Sequence, residues 1–140
     1  MSFSQSEYLS ILAQTPAEAL KAQAETVLDA LGSIEVLVNR TGLVMLPYTD
    51  NAQGKIFHLG EVLVAEAHIR LANGVEGYGM CLGRDHVQAL GIAVLDAALT
   101  AGIMTAEITA FVAEQAQAQA AADEQLLKMV ESTRVEMSTF

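Results

Sequence analysis

The sequence predicts an α+β protein in which an antiparallel sheet of three to four strands packs with helices. Apolar residues recur at helical spacing before residue 32 and after residue 85, whereas from Ile34 they alternate with a period of two. Asn73-Gly74 separates two β-rich runs, which is a strong hairpin signal. With 140 residues, the chain is expected to form one domain over residues 1–140.

An N-terminal helical pair is expected first. Residues 6–14 form a short helical run. Thr15 is the expected N-cap of the second helix, with Pro16 in its first turn and Glu18 completing a capping box. Gly32 is well placed to end this helix.

Two β runs follow, over residues 34–39 and 43–49. The intervening residues 40–42 form either a tight turn or a bulge in one long bent strand. Pro47 cannot donate a ladder hydrogen bond, so the second run is expected at a sheet edge. Residues 50–54 are expected to form a loop.

The hairpin register follows if Asn73 and Gly74 are the two central residues of a type I′ turn. Glu66, His68 and Arg70 then form a polar strand face. Their partners on the next strand are Cys81, Gly79 and Gly77. Glycines spaced two apart in a strand indicate that another group approaches this face, or that the backbone needs relief of twist or room for a neighbour.

Two helices complete the expected fold. Asp85 suits the N-cap of the first, which is apolar nearly all round and is therefore expected to be buried on several sides. The second covers residues 105–140, with Thr105 as its expected cap and an alanine- and glutamine-rich middle. We expect this helix to break in the middle or to project towards a partner. The expected docking residues are Leu126, Val130, Arg134 and Met137.

The charge balance limits the class of partner. Seven basic and 17 acidic residues give a net charge of −10, which repels nucleic acids and anionic membrane surfaces. Protein partners are therefore expected. The single cysteine, Cys81, fits a reducing compartment, and neither a signal peptide nor a membrane span is evident, so a cytoplasmic protein is expected.

No complete catalytic set is evident in the sequence. The three histidines are too scattered for a metal motif, so no metal site is expected. Glu66, His68 and Arg70 form either an acid–base site or a solvated strand face. The expected partner- or anion-binding residues are these three together with Gly77, Gly79, Arg84 and Asp85. Arg84 lies at a helix start, where it either helps to bind an anion or pairs with a carboxylate.

One family resemblance covers nearly the whole chain. Residues 57–85 read FHLGEVLVAEAHIRLANGVEGYGMCLGRD and are followed by Ala89, Ala93 and Asp96. Together with residues 8–13 and 133–140, this stretch resembles PhnG, a subunit of the bacterial phosphonate carbon–phosphorus (C–P) lyase system.

The resemblance implies a PhnG-like accessory subunit without catalytic residues of its own. The implied reaction transfers a phosphonate to the ribose C1′ of ATP with release of adenine. The implied partners are PhnI, PhnH, PhnJ and a PhnL-like ATPase, and the complex, not this chain, is expected to use ATP. The alternative is a stand-alone homodimeric anion-binding protein or small enzyme, with its site at the hairpin and the helix start at Arg84.

Overall fold

A computed structural model describes the backbone of residues 3–50 and 55–138 and the side chains of residues 3–44 and 62–125. Within these ranges the expected α+β class is confirmed, with a sheet of three antiparallel strands. The elements in chain order are α1 (Gln5–Ala13), α2 (Ala17–Leu31), β1 (Ile34–Asp50), β2 (Lys55–Leu71), β3 (Glu76–Leu82), α3 (His86–Ala101) and α4 (Thr105–Ser138).

The N-terminal helical pair is present, but its capping differs from the expected arrangement. The capping box belongs to α1, where the Ser4 hydroxyl accepts from the Glu7 N–H and the Glu7 carboxylate accepts from the Ser4 N–H. Thr15 does not cap α2, because its hydroxyl donates to the Ile11 carbonyl oxygen at 2.9 Å. Gly32 ends α2 as expected, with a φ of +73° that favours glycine.

The sheet order is β1-β2-β3, which confirms that the strand containing Pro47 lies at an edge. Residues 40–42 form neither a turn nor a bulge, since they pair continuously with residues 64–66. The register shifts lie on either side, between Val36 and Val38 and between Leu46 and Pro47. Of the expected loop, Asp50 ends β1, and residues 51–54 lie outside the described residues.

The register expected for the hairpin is wrong by one residue. The Leu71 N–H donates to the Val75 carbonyl, and the Gly74 N–H donates to the Leu71 carbonyl. Three residues therefore form the loop, and Gly74 alone of them has a positive φ, at +90°. This is the pattern of a type I turn followed by a bulge. The extra loop residue moves Gly79 opposite Ala67 and Gly77 opposite Ile69.

A one-residue shift exchanges the two faces of β3. Gly77, Gly79 and Cys81 are buried towards the helices, whereas Met80 and Leu82 are exposed. The expected placement of the two glycines on the polar face is therefore wrong. On β2 the expected faces are correct, with Ala65, Ala67 and Ile69 fully buried.

Helix α3 is the centre of the core. It packs against β2 and β3 on one side and against α2 on another, as its apolar sequence predicts. All residues from Gly91 to Ala98 are buried. The buried stripe of α2 that packs in the same core consists of Leu20, Ala24, Val27 and Leu31.

Helix α4 is one continuous element from Thr105 to Ser138, with no break in its middle. Thr105 is its first helical residue and not its cap. Ile108 and Val112 are buried against the core, and the Gln119 side-chain amide donates to the Ile11 carbonyl oxygen at 2.9 Å. Residues 120–125 are exposed. At about 1.5 Å per residue, the helix continues for roughly 28 Å beyond Gln119.

Candidate functional site

The open face of the sheet is the side turned away from the helices, and it holds the polar residues that the sequence indicates on β2. The strand register places them in three rows. Arg40, Glu66 and Met80 form one row; Val38, His68 and Tyr78 form the next; Glu35, Arg70 and Glu76 form the third.

The first network joins all three strands through Glu66. Arg40 Nε lies 3.2 Å from Glu66 Oε1, and the Tyr78 hydroxyl donates to Glu66 Oε2 at 2.8 Å. Burial and the neighbouring Glu66 carboxylate raise the pKa of Tyr78 to about 12. Tyr78 is thus a neutral hydrogen-bond donor at physiological pH and is a poor proton acceptor there.

The second network is centred on Arg70 and Glu76. Arg70 contacts Glu76 at 3.2 Å and Glu35 at 3.9 Å, while His68 Nε2 lies 3.8 Å from the same Glu76 carboxylate. The His68 ring meets the Tyr78 ring edge-on, with 6.4 Å between their centroids. These side chains are about half exposed, so each ion pair contributes at most about 1 kcal/mol to stability.

Glu66, His68 and Arg70 therefore lie on one face, but each contacts a neighbouring strand. Glu66 is paired with Arg40 and Tyr78, while His68 and Arg70 are paired with Glu76. An acid–base site needs a base in hydrogen-bond reach of a nucleophile or substrate proton. The pairings observed within the chain are those of a solvated strand face, on which carboxylates lie beside the arginines. Among the described side chains, no group of three His, Cys, Asp or Glu residues is arranged to hold a metal ion.

The start of α3 is occupied by a carboxylate of the chain itself. Asp85 caps the helix as expected, accepting from the Gln88 N–H at 3.0 Å, and it pairs with Lys21 at 3.1 Å. The Gln88 N–H and the Lys21 ammonium lower the pKa of Asp85. Arg84 is exposed, and no described carboxylate lies within ion-pair distance of it. Its expected in-chain pairing is therefore not found in the described part of the chain.

Cys81 is a packed thiol beside this helix start. It is 3% exposed, and its thiol donates to the Asp85 carbonyl at 3.6 Å. Burial and the nearby Asp85 carboxylate raise the pKa of Cys81. Since the thiolate is the reactive form, this environment disfavours a nucleophilic role.

Asp96, a buried carboxylate that joins three elements, is not among the candidate site residues that the sequence indicates. It is 1% exposed in the middle of α3 and accepts hydrogen bonds from the Tyr8 hydroxyl, the Gln5 amide and the Tyr78 N–H. Burial and the Asp96 carboxylate raise the pKa of Tyr8 above its usual range. Asp96 joins α1, α3 and β3, and every described polar atom around it is satisfied. The signal was present in the sequence, because Asp96 is the one Asp, Glu, Lys or Arg within α3.

An apolar groove of about 280 Å³ lies between α2 and α3. Leu28, Ile34, Leu90 and Val94 line it, and Val87 is 58% exposed at its edge. Lys21 and Glu25 also line it.

Exposed apolar residues of the described part of the chain lie on β3 and along the groove between α2 and α3, among them Met80, Leu82 and Val87. Exposed apolar patches of this kind mark surfaces that contact other molecules. Within the described residues, no helix is both long enough and apolar enough to cross a membrane.

Comparison with known proteins identifies the family. Residues 4–140 match the family described as phosphonate metabolism protein PhnG, and the chain belongs to this family. The chain is similar to a protein of Rhizobium meliloti (strain 1021), the alpha-D-ribose 1-methylphosphonate 5-triphosphate synthase subunit PhnG. The two are 33% identical over 99 residues, which cover 71% of this chain and 64% of the relative.

Proposed function

We propose that this chain is a non-catalytic subunit of a ribose 1-methylphosphonate 5-triphosphate synthase. The observation that supports this most directly is the match of residues 4–140 to the PhnG family, together with a relative that is named as a subunit of that synthase. In this role the chain supports the transfer of a phosphonate to the ribose C1′ of ATP with release of adenine. The chain is then one component of the C–P lyase system for phosphonate catabolism.

The chemistry of the described side chains supports the accessory role. The open face has its acids and bases paired with one another, Cys81 is buried with a raised pKa, and Tyr78 has a pKa of about 12. None of these groups is suited to activating a water or a phosphonate oxygen at neutral pH. We assign the catalytic groups and the ATP site to partner chains of the PhnI, PhnH, PhnJ and PhnL type, in the cytoplasm.

The alternative of a stand-alone anion-binding protein is disfavoured at α3. An anion at a helix N-terminus binds free N–H groups. Here the Asp85 carboxylate already accepts from Gln88 and is paired with Lys21, so an incoming phosphate meets a negative charge. Arg84 is exposed, and a single exposed arginine on a chain of net charge −10 attracts an anion only weakly.

The test is a reconstitution with ATP and methylphosphonate. The chain purified alone should release no adenine, whereas the co-expressed synthase subunits should release it, and omission of this chain should lower the yield or activity of the assembled complex. Adenine release by the isolated chain contradicts the non-catalytic assignment. A complex that forms and works equally well without this chain contradicts the subunit assignment.

A further inference from the structure

Strands β1 and β2 continue as a two-stranded ribbon beyond the end of β3. The last residue of β3, Leu82, pairs with Val64, and the Gly83 N–H donates to the Leu63 carbonyl oxygen. From there β1 and β2 pair only with each other for eight register positions, from Leu43 with Leu63 to Asp50 with Lys55. We call residues 43–50 and 55–63 the β-arm. At about 3.4 Å per residue it is about 25 Å long.

The composition of the β-arm does not suit an isolated ribbon in water. Ten of its 17 residues are hydrophobic and three are charged. The apolar run of residues 43–46 occupies four successive strand positions, and successive positions face opposite sides, so apolar residue types fall on both faces. A strand that is covered on one side only alternates apolar and polar residues instead.

Among the described side chains, those beside β3 are buried towards the helices, whereas those at the base of the β-arm are exposed. On β2 the buried side chains run from Val64 to Leu71. At the base of the β-arm, Leu43 is 62% exposed and Val44 42% exposed, and Leu82 beside them is 73% exposed. A two-stranded hairpin is at best marginally stable in water without a third strand or a covering helix.

We propose that the β-arm is a segment by which this chain docks into another subunit of its complex, and that the partner supplies an apolar cleft with a basic rim. This inference rests on the proposed function, in which such subunits exist. Within the described backbone, the arm presents two unpaired strand edges beyond Leu63, and an extended segment of the partner can add to either of them by main-chain hydrogen bonds.

The charge of the chain selects the kind of partner. Each copy has a net charge of −10, so two copies brought together through their arms repel one another. The arm itself is nearly neutral, with Asp50, Lys55 and Glu61 as its charged residues. A basic rim on a different subunit complements the acidic body while an apolar cleft covers the arm.

The experiment compares variants of the full chain co-expressed with the other synthase subunits. In Leu46→Lys a charge is placed in the arm, and in a second variant residues 44–62 are replaced by Asn-Gly, which joins Leu43 to Leu63 through a two-residue turn. Val87→Lys is the matched control, because it adds the same charge at an exposed apolar residue of the α2/α3 groove. Retention of partner subunits on the tagged chain, thermal unfolding and the mass of the isolated chain are measured.

We expect both arm variants to lose at least tenfold in affinity for the partner subunits, whereas Val87→Lys stays within twofold of the unchanged chain. Amides of the β-arm should become protected from hydrogen exchange in the complex. If the shortened chain does not fold, the affinity of Leu46→Lys and the hydrogen-exchange measurement still test whether the β-arm docks on a partner.

Three results overturn the inference. The first is an unchanged affinity of Leu46→Lys with unprotected arm amides in a complex that does form; this leaves the proposed function intact. The second is an isolated dimer that the arm variants convert to a monomer, which makes a second copy the occupant. The third is that the unchanged chain binds none of the synthase subunits, in which case the proposed function fails as well.

Discussion

At the scale of single residues, Asp96 does the most to hold different elements together. Its carboxylate accepts from the side chains of Tyr8 and Gln5 on α1 and from the backbone of Tyr78 on β3. A buried carboxylate is tolerated only when donors replace the water it has lost. Docking of α1 onto the sheet layer therefore depends on these hydrogen bonds as well as on the buried side chains of Tyr8 and Leu12.

Tyr8→Phe should lower the free energy of unfolding at pH 7 by about 1–3 kcal/mol, because Asp96 stays buried and loses a donor. Tyr78→Phe is the control, since its partner Glu66 is 26% exposed and is rehydrated by water. That change should cost less than about 1 kcal/mol. Urea unfolding of both variants measures the difference, and equal costs contradict the assigned role of Asp96.

The raised pKa of Tyr8 makes the free energy of unfolding decrease as the pH rises in the alkaline range. The folded chain keeps the hydroxyl proton where the unfolded chain loses it, so this stabilisation is complete below about pH 10 and is lost as the pH rises further. Stability of the unchanged protein should therefore fall more steeply between pH 9 and pH 11 than that of Tyr8→Phe. Tyr78 contributes equally to both proteins in this comparison.

The limits of sequence reasoning are clear at this scale. Asp85 was correctly predicted as a cap because a cap is local, set by neighbouring residues on the chain. Thr15 was wrongly predicted as a cap because its hydroxyl has a competing acceptor one turn back, in Ile11. Asp96 was missed as a site because its donors lie 18 to 91 residues away in the sequence.

At the scale of elements, the pairing of β2 with β3 was predicted but its register was not. The Asn73-Gly74 signal locates the hairpin correctly, yet the loop has three residues and not two. The difference reverses the faces of β3, so the glycines pack against α3. The sequence left open a close approach of another group to Gly77 and Gly79, relief of twist, or room for a neighbouring side chain. In the structure the backbone of α3 approaches both glycines closely.

Gly79→Ala should lower the free energy of unfolding by at least about 2 kcal/mol. A Cβ at this position lies 2.6 Å from the Ala93 nitrogen and also clashes with the Ala89 carbonyl oxygen, so α3 has to move away from β3. Gly42→Ala is the matched control on another strand, because no atom of the described residues lies within 4 Å of a Cβ placed there. Alanine there should be neutral or slightly stabilising. Thermal or urea unfolding measures the free energy of unfolding of both variants. If Gly79→Ala lowers it by less than about 0.5 kcal/mol, α3 does not pack closely on β3.

At the scale of the whole molecule, the body is formed by α1–α3, β3 and the part of β2 that pairs with β3. Two extensions continue from this body. One is the β-arm and the other is α4 beyond Gln119. Alternation and helix propensity predicted the strands and helices that form them, because those signals are local. How far the strands and the long helix extend past the body depends on how the whole molecule packs. Sequence periodicity carries no information about that packing. A projecting α4 remains a prediction for residues 126–140, whose side chains lie outside the described residues.

The final prediction concerns the end of α4. Its described contacts with the body are made by residues up to Gln119, through buried Ile108 and Val112 and the hydrogen bond to Ile11. Residues 120–125 are exposed, so a chain that ends before Leu126 keeps each of these contacts. The truncated chain should therefore fold with a midpoint of thermal unfolding within a few degrees of the full chain.

The residues removed include Leu126, Val130 and Met137, which are apolar and costly to leave in water, together with Arg134, a cation on an acidic chain. If they dock on a partner subunit, the truncated chain should lose association while it keeps its stability. A full-length variant with alanine at all four positions is the control for helix length. Alanine preserves helix propensity and removes the apolar and cationic groups. Retention of partner subunits and circular dichroism measure the two effects separately. Unfolding of the truncated chain would show that the segment belongs to the chain's own core, because only lost intramolecular burial can destabilise the isolated protein in this way.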